Sequence, residues 1–355
     1  MLCTFVERRT NELRSSNNLK NESRLHAGRK KKRKMAGMNP FMIAVILVCL
    51  AVVDCVITIA RRVAVGLQSA TFHQSNVLLL NEIIKLVFCC VQAFLSRRKG
   101  ESARTRIRQL LSGSIYMIPV CVLYLIANIV SYPSLQRVPA NVFAALSQLK
   151  VLTTAFFTVT LLKAKVSLRR WRTMLTLMLG VVVVMLGKSP QDIAEPIYSG
   201  RYYFGAFLGF LQTCLTGLAC VILELLLKSR EVGADAPKFD IWERNVQLAI
   251  WSIIIYIPLA FKENDGRLLL NWTRAELLIS FLHALGGILV ALSILHASSI
   301  AKTIAVSAGL VATSLLGGLF GDLPPSPVAI IGGAIVTVSI LVYRDDIELE
   351  RQQML

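Results

Sequence analysis

Phe41-Met42-Ile43-Ala44-Val45-Ile46-Leu47-Val48-Cys49-Leu50-Ala51-Val52-Val53-Asp54-Cys55-Val56-Ile57-Thr58-Ile59-Ala60 follows closely on Arg29-Lys30-Lys31-Lys32-Arg33-Lys34. An almost wholly apolar run of about 20 residues is what a helix needs to cross the hydrocarbon core of a bilayer. A block of cations just before such a run is a topology signal, because cytosolic flanks collect Lys and Arg. The two textures alternate along the chain. Hydrophobic residues make up 55% and charged residues 17% of the sequence, with mean hydropathy +0.60. A soluble domain carries about 25% charged residues, so lipid is the solvent this composition fits. The net charge of +18 lies in blocks between apolar runs. A nucleic-acid partner would need a folded basic face, and none is expected.

Ten apolar runs qualify, near Phe41–Ala60, Val77–Leu95, Ile115–Val130, Val142–Leu162, Met174–Gly187, Phe204–Leu227, Val246–Phe261, Leu277–Leu295, Ile304–Phe320 and Val328–Tyr343. The expected fold class is an all-α polytopic membrane protein, with ten transmembrane helices in two five-helix inverted halves. Residues 1–37 form a basic tail, expected to be disordered and cytosolic; residues 38–343 form the membrane domain; residues 344–355 form a short cytosolic C-terminal tail. With the N-terminus in the cytosol, 29 Lys/Arg fall on the cytosolic side and 8 on the other. The positive-inside rule then puts both termini in the cytosol. The sequon Asn271-Trp272-Thr273 falls on the opposite side.

Lys85 and Lys150 are the two cations inside apolar runs. Ionisable groups in a bilayer are costly and face a partner or a wet cavity. The polar list is Glu82, Lys85, Asn128, Gln148, Lys150, Glu224, Asn245, Gln247 and Lys302. Lys150 reads as a cationic ligand for an anionic substrate, or else as the partner of a buried acid such as Glu82. Lys302 stands at the mouth of helix 9, the place equivalent to helix 4, and can snorkel or join Lys150. Two such lysines suit a diphosphate or phosphodiester, which lysine meets as a point charge. Glu82 and Lys85, three apart, can pair on one helix face as a helix contact or gate. Glu224 with Lys228 is an i, i+4 pair. Asn245 and Gln247 open helix 7. Gly286-Gly287 and Gly317-Gly318 interrupt helices 8 and 9, with close helix packing as the usual reason for such pairs and approach of a sugar ring to the backbone as a second use. Seven of the eight cysteines lie in apolar runs and read as small hydrophobes. No metal site, cofactor or catalytic constellation is expected, so the chain does not read as an enzyme.

Four stretches carry a resemblance: Asn81-Glu82-Ile83-Ile84-Lys85-Leu86, Gln148-Leu149-Lys150 with Phe143 before it, Trp242-Glu243-Arg244-Asn245-Val246-Gln247, and Ser299-Ile300-Ala301-Lys302 after Gly286-Gly287. With their spacing, they make the chain from about Met38 to Tyr343 resemble nucleotide-sugar transporters of the CMP-sialic acid and UDP-galactose transporter group, within the drug/metabolite transporter superfamily. The resemblance implies that Lys150 and Lys302 bind phosphate, and that Tyr124, Asn128 and Asn245 meet the nucleotide. Phe143 and Ser299 stand where the family has tyrosine and asparagine, so the base platform differs. It further implies a Golgi membrane antiporter taking a cytosolic pyrimidine nucleotide-sugar in exchange for luminal nucleoside monophosphate. UDP-galactose or UDP-N-acetylglucosamine are favoured and CMP-sialic acid is compatible. A phosphorylated-sugar or small-metabolite carrier of the same superfamily is the alternative. Membrane lipid is the surrounding partner, and a homo-oligomer is compatible with the sequence.

Overall fold

The computed structural model describes residues 39–68, 74–96, 102–135, 137–138, 140–186, 200–228, 239–263, 274–316 and 326–353. The basic tail, Asn271 and Gly317-Gly318 lie outside them. The described residues form α1 (Pro40–Gln68), α2 (Gln74–Leu95), α3 (Ala103–Gly113), a 3-10 turn (Ser114–Met117), α4 (Ile118–Leu135), α5 (Ala140–Ser147), α6 (Lys150–Leu161), α7 (Leu168–Leu186), α8 (Gly200–Lys228), α9 (Ile241–Glu263), α10 (Arg274–His296), α11 (Ser299–Leu316) and α12 (Pro327–Gln353). No strand occurs among the described residues.

Helix starts follow from local chemistry. Asn39 Oδ1 accepts the Phe41 N–H at 3.1 Å, and Ser326 Oγ accepts the Ala329 N–H at 3.2 Å. In each case a proline follows the capping residue, where its fixed φ suits the first helical position. At α9, Asp240 Oδ1 accepts the Ile241 N–H while Glu243 Oε2 accepts the Asp240 N–H, 2.7 and 2.8 Å. The Glu243 half of a capping box is therefore present, and it closes the start of the helix that carries the Trp242-to-Gln247 stretch.

Among the described residues, eight helices are long and apolar enough to cross a membrane, and Ala145–Leu161 is a shorter apolar segment. Two expected spans account for the difference from ten. The fourth, read from sequence as one helix over Val142–Leu162, is broken at Gln148-Leu149 into α5 and α6. The fifth is α7, whose first turn carries Arg169, Arg170 and Arg172. Of the two glycine pairs, the described one does not break its helix: α10 runs through Gly286-Gly287. A Cβ there would reach ordinary contact distance of the neighbouring helices, 3.4 Å from Ile57 Cδ1 at Gly286 and 3.4 Å from Lys85 Cδ at Gly287. At the other end, α12 continues past Tyr343 to Gln353.

Packing groups the helices. α1 lies against α10 and α11, while α8 lies against α4 and against α5 and α6. α2 meets α9 and α10, α9 also meets α4, α6 meets α11, and α7 meets α12. One core joins Val151, Met174, Leu177, Val181, Ile304 and Val336 across α6, α7, α11 and α12. Another joins Met117, Val120, Ile222, Leu226 and Ile294 across α4, α8 and α10. Outside these cores, large apolar side chains such as Phe94 and Phe41 are 71% and 70% exposed. That is the surface that hydrocarbon, rather than water, would cover.

Candidate functional site

The break before Lys150 comes from tightened turns. The N–H groups of Gln148, Leu149 and Val151 bond three residues back, to Ala145, Leu146 and Gln148, at 3.1 Å each. The side chain of Gln148 leaves the segment and receives the Ser307 hydroxyl of α11, 2.8 Å, in a fully buried contact. Lys150 therefore opens α6, at the positive end of a half-helix, rather than lying in the middle of a continuous one. Lys302 moves the other way. α11 starts at Ser299, so Lys302 is one turn inside the helix and not at its mouth.

These two lysines approach one another across the α6–α11 contact, near enough to interact electrostatically. Between them and α4 stands Cys220 of α8. Lys302 Nζ donates to its Sγ at 3.4 Å, the Tyr124 hydroxyl lies 3.3 Å from the same sulfur, and Ser299 Oγ donates to its carbonyl at 2.9 Å. Four of the expected site residues, Lys150, Lys302, Tyr124 and Ser299, are thereby gathered from α4, α6 and α11 around one buried thiol. Asn128 sits one turn along α4 from Tyr124 and donates to the Tyr256 hydroxyl at 2.9 Å.

Four expected residues stand apart from this cluster. Asn245 is buried and spends its amide on the Ile241 carbonyl of its own helix, 2.9 Å. Phe143 packs towards α8 at Gly209, where a Cβ would come within 3.7 Å of its ring. Eleven residues separate Gly209 from Cys220, about 16 Å along a helix. Glu82 and Lys85 pair with each other at 2.6 Å and rest beneath Gly287. Glu82 is thus committed to Lys85, and the acid in electrostatic range of Lys150 is Asp54 of α1.

Asp54 and Cys220 are absent from the sequence-derived polar list. Asp54 was legible, as a single carboxylate in an otherwise apolar run. Cys220 was not, since nothing local separates it from the other buried cysteines. The reach of Glu224 was also hidden. Its 3%-exposed carboxylate meets Lys228 as expected, 2.8 Å, but its second oxygen accepts the Ser299 N–H, 2.8 Å. Lys228 in turn donates to the Ala297 carbonyl at 2.7 Å. This clasp fixes the first turn of α11, and with it the place from which Lys302 reaches Cys220.

The arrangement offers cations and a phenol to an anionic, ring-bearing molecule, held between helices from both ends of the chain. The family profile described as nucleotide-sugar transporter matches residues 39–344. The chain belongs to the nucleotide-sugar transporter family. Among relatives of this family, the UDP-galactose/UDP-N-acetylglucosamine transporter srf-3 of Caenorhabditis elegans is 30% identical over 284 residues, 77% of this chain and 74% of that protein. The UDP-galactose transporter of Schizosaccharomyces pombe is 28% identical over 294 residues, 79% and 81% of the two chains. A solved crystal structure with 12% identity covers 83% of this chain and 95% of its own, with a TM-score of 0.60, a likeness of fold alone. These relatives are named as transporters, and this member of the family has, among its described residues, eight helices long and apolar enough to cross a membrane.

Proposed function

We propose that the protein exchanges a cytosolic pyrimidine nucleotide-sugar for luminal nucleoside monophosphate across the Golgi membrane, by alternating access of two five-helix halves. The carrying observation is the convergence of Lys150, Lys302 and Tyr124 on one buried point. Two ammonium groups held close repel each other unless an anion lies between them, and a diphosphate is such an anion. Tyr124 and Asn128, on one face of α4, are placed to receive the nucleoside. UDP-galactose and UDP-N-acetylglucosamine are the favoured substrates, because those are the cargoes named for the relatives above.

The contact pattern supports two halves. Numbering the ten proposed spans α1, α2, α4, α5 with α6, α7, α8, α9, α10, α11 and α12, the contact of α1 with α11 has its counterpart in α8 with α5 and α6. Likewise α1 with α10 answers to α8 with α4, and α2 with α10 to α9 with α4. Substrate sites of transporters built from repeats lie where the repeats meet, at broken helices. The α5–α6 break at Lys150 fits that placement.

The test is purified protein in liposomes preloaded with UMP or CMP and challenged with a panel of labelled nucleotide-sugars. Uptake stimulated by internal UMP and competed by external UMP is the expected result. Uptake of sugar phosphates that neither nucleotide competes would assign the site to a phosphorylated-sugar carrier instead.

A further inference from the structure

Asp54 occupies a place that the exchange mechanism does not use. It sits in the middle of α1, within the most hydrophobic of the candidate spans, at a mean hydropathy of 2.9. Ionisable groups so placed are retained for a partner or a pathway. Its side chain is turned onto α11, for a Cβ on Gly309 would lie 3.2 Å from both Asp54 Cβ and Oδ2. Gly309 is seven residues beyond Lys302, two turns on, so the carboxylate and Lys302 share one face of that helix. Ser307, the residue that holds Gln148 at the α5–α6 break, lies between them in sequence. Lys150 follows that break, in electrostatic reach of both Asp54 and Lys302.

The charges of this site have a consequence for the transport cycle. The neighbouring ion pairs, Glu82 with Lys85 and Glu224 with Lys228, are each neutral. Lys150, Lys302 and Asp54 leave a single net positive charge. A nucleoside-diphosphate sugar or a nucleoside monophosphate brings about two negative charges at neutral pH. The empty site is then singly positive and the loaded one singly negative. Desolvation cost grows with the square of the charge, so the two states meet comparable barriers when the halves rock. Without the carboxylate the empty site would be doubly positive and the loaded one neutral. Only the loaded carrier would then reorient readily.

We propose that Asp54 is the resident counter-ion of the lysine site, and that it frees the carrier from obligatory exchange by letting the empty form return across the membrane. The proposal rests on the nucleotide-sugar exchange reading above and adds a uniport mode to it.

The full-length protein in liposomes supplies the test, with the labelled nucleotide-sugar that exchanges best as the probe. Uptake is measured into vesicles that are empty or preloaded with UMP, and the quantity read is the preloaded-to-empty ratio. Wild-type protein is expected to fill empty vesicles at an appreciable fraction of the preloaded rate. Asp54→Asn is expected to raise the ratio by about tenfold, equivalent to about 1.4 kcal/mol between the empty and loaded barriers. Asp54→Glu, which keeps the charge, should hold the wild-type ratio. A wild-type protein that fills preloaded vesicles but not empty ones overturns the counter-ion proposal while leaving exchange intact. An unchanged ratio in Asp54→Asn overturns it equally. If Asp54→Asn does not fold, the wild-type comparison still decides. No nucleotide-sugar uptake into either kind of vesicle would overturn the proposed function together with this one.

Discussion

Lys150 and Lys302 differ from the lysines of an ordinary ion pair, because each lies in electrostatic reach of the other. A charge-assisted hydrogen bond is worth about 1.5–3 kcal/mol, which corresponds to roughly ten- to a hundredfold in binding. Lys150→Ala and Lys302→Ala are each expected to weaken exchange by that order, and the double variant to be little worse than either, since both are proposed to meet one phosphate group. Thermal melts with and without UMP check the assignment. A Lys150→Ala protein that folds and is still strongly stabilised by nucleotide would remove Lys150 from the phosphate site. Lys150→Arg should rescue incompletely, because a planar fork needs more room than a point charge at the start of α6.

Among the elements, α11 depends on its neighbour α8 for where it begins. Glu224→Ala would leave the Ser299 N–H without its buried acceptor and Lys228 without its carboxylate. Loss of such a partner costs about 1–3 kcal/mol. The melting temperature in detergent should fall, and the apparent affinity for substrate should drop with it as Lys302 shifts. A drop in stability with unaltered affinity would confine the clasp to a structural part. The contact of α7 with α12 is closer still. A Cβ on Gly332 would meet the Val184 nitrogen at 2.7 Å and the Gly180 carbonyl at 2.8 Å, both backbone atoms that cannot step aside. Gly332→Ala is expected to cost about 1–3 kcal/mol by overpacking, read as a lower melting temperature with nucleotide stabilisation retained. A melting temperature equal to that of wild type would mean the two helices separate at no cost.

At the scale of the whole molecule, the 29-to-8 split of Lys and Arg sets the expected orientation. Both termini are expected in the cytosol. A protease-protection assay on sealed vesicles in which the C-terminus is sheltered would reverse that arrangement. The tail is a separate matter, since likeness to the family starts at residue 39. Deleting residues 2–34 should leave exchange in liposomes at wild-type level. Correct insertion with no exchange would show that the basic segment belongs to the transport machinery.

Sequence alone determined the solvent, the class and the family. Runs such as Phe41–Ala60 announce lipid because burying about 20 apolar residues needs no partner other than hydrocarbon. Helix starts such as Asn39-Pro40 were likewise local, set by atoms two or three residues apart. The Glu82–Lys85 and Glu224–Lys228 pairs could be read for the same reason, being one turn apart on single helices. Tertiary structure decided everything that required two helices to meet. It split Val142–Leu162 at Gln148, because Ser307 of α11 draws that side chain out of its own helix. Cys220 became the meeting point of Tyr124 and Lys302, which lie about a hundred residues to either side in sequence. Asp54, rather than Glu82, came within reach of Lys150, because α1 packs on α11 while Glu82 is already held by Lys85. Contacts between helices far apart in the chain leave no periodicity along it, so no local pattern records which face meets which.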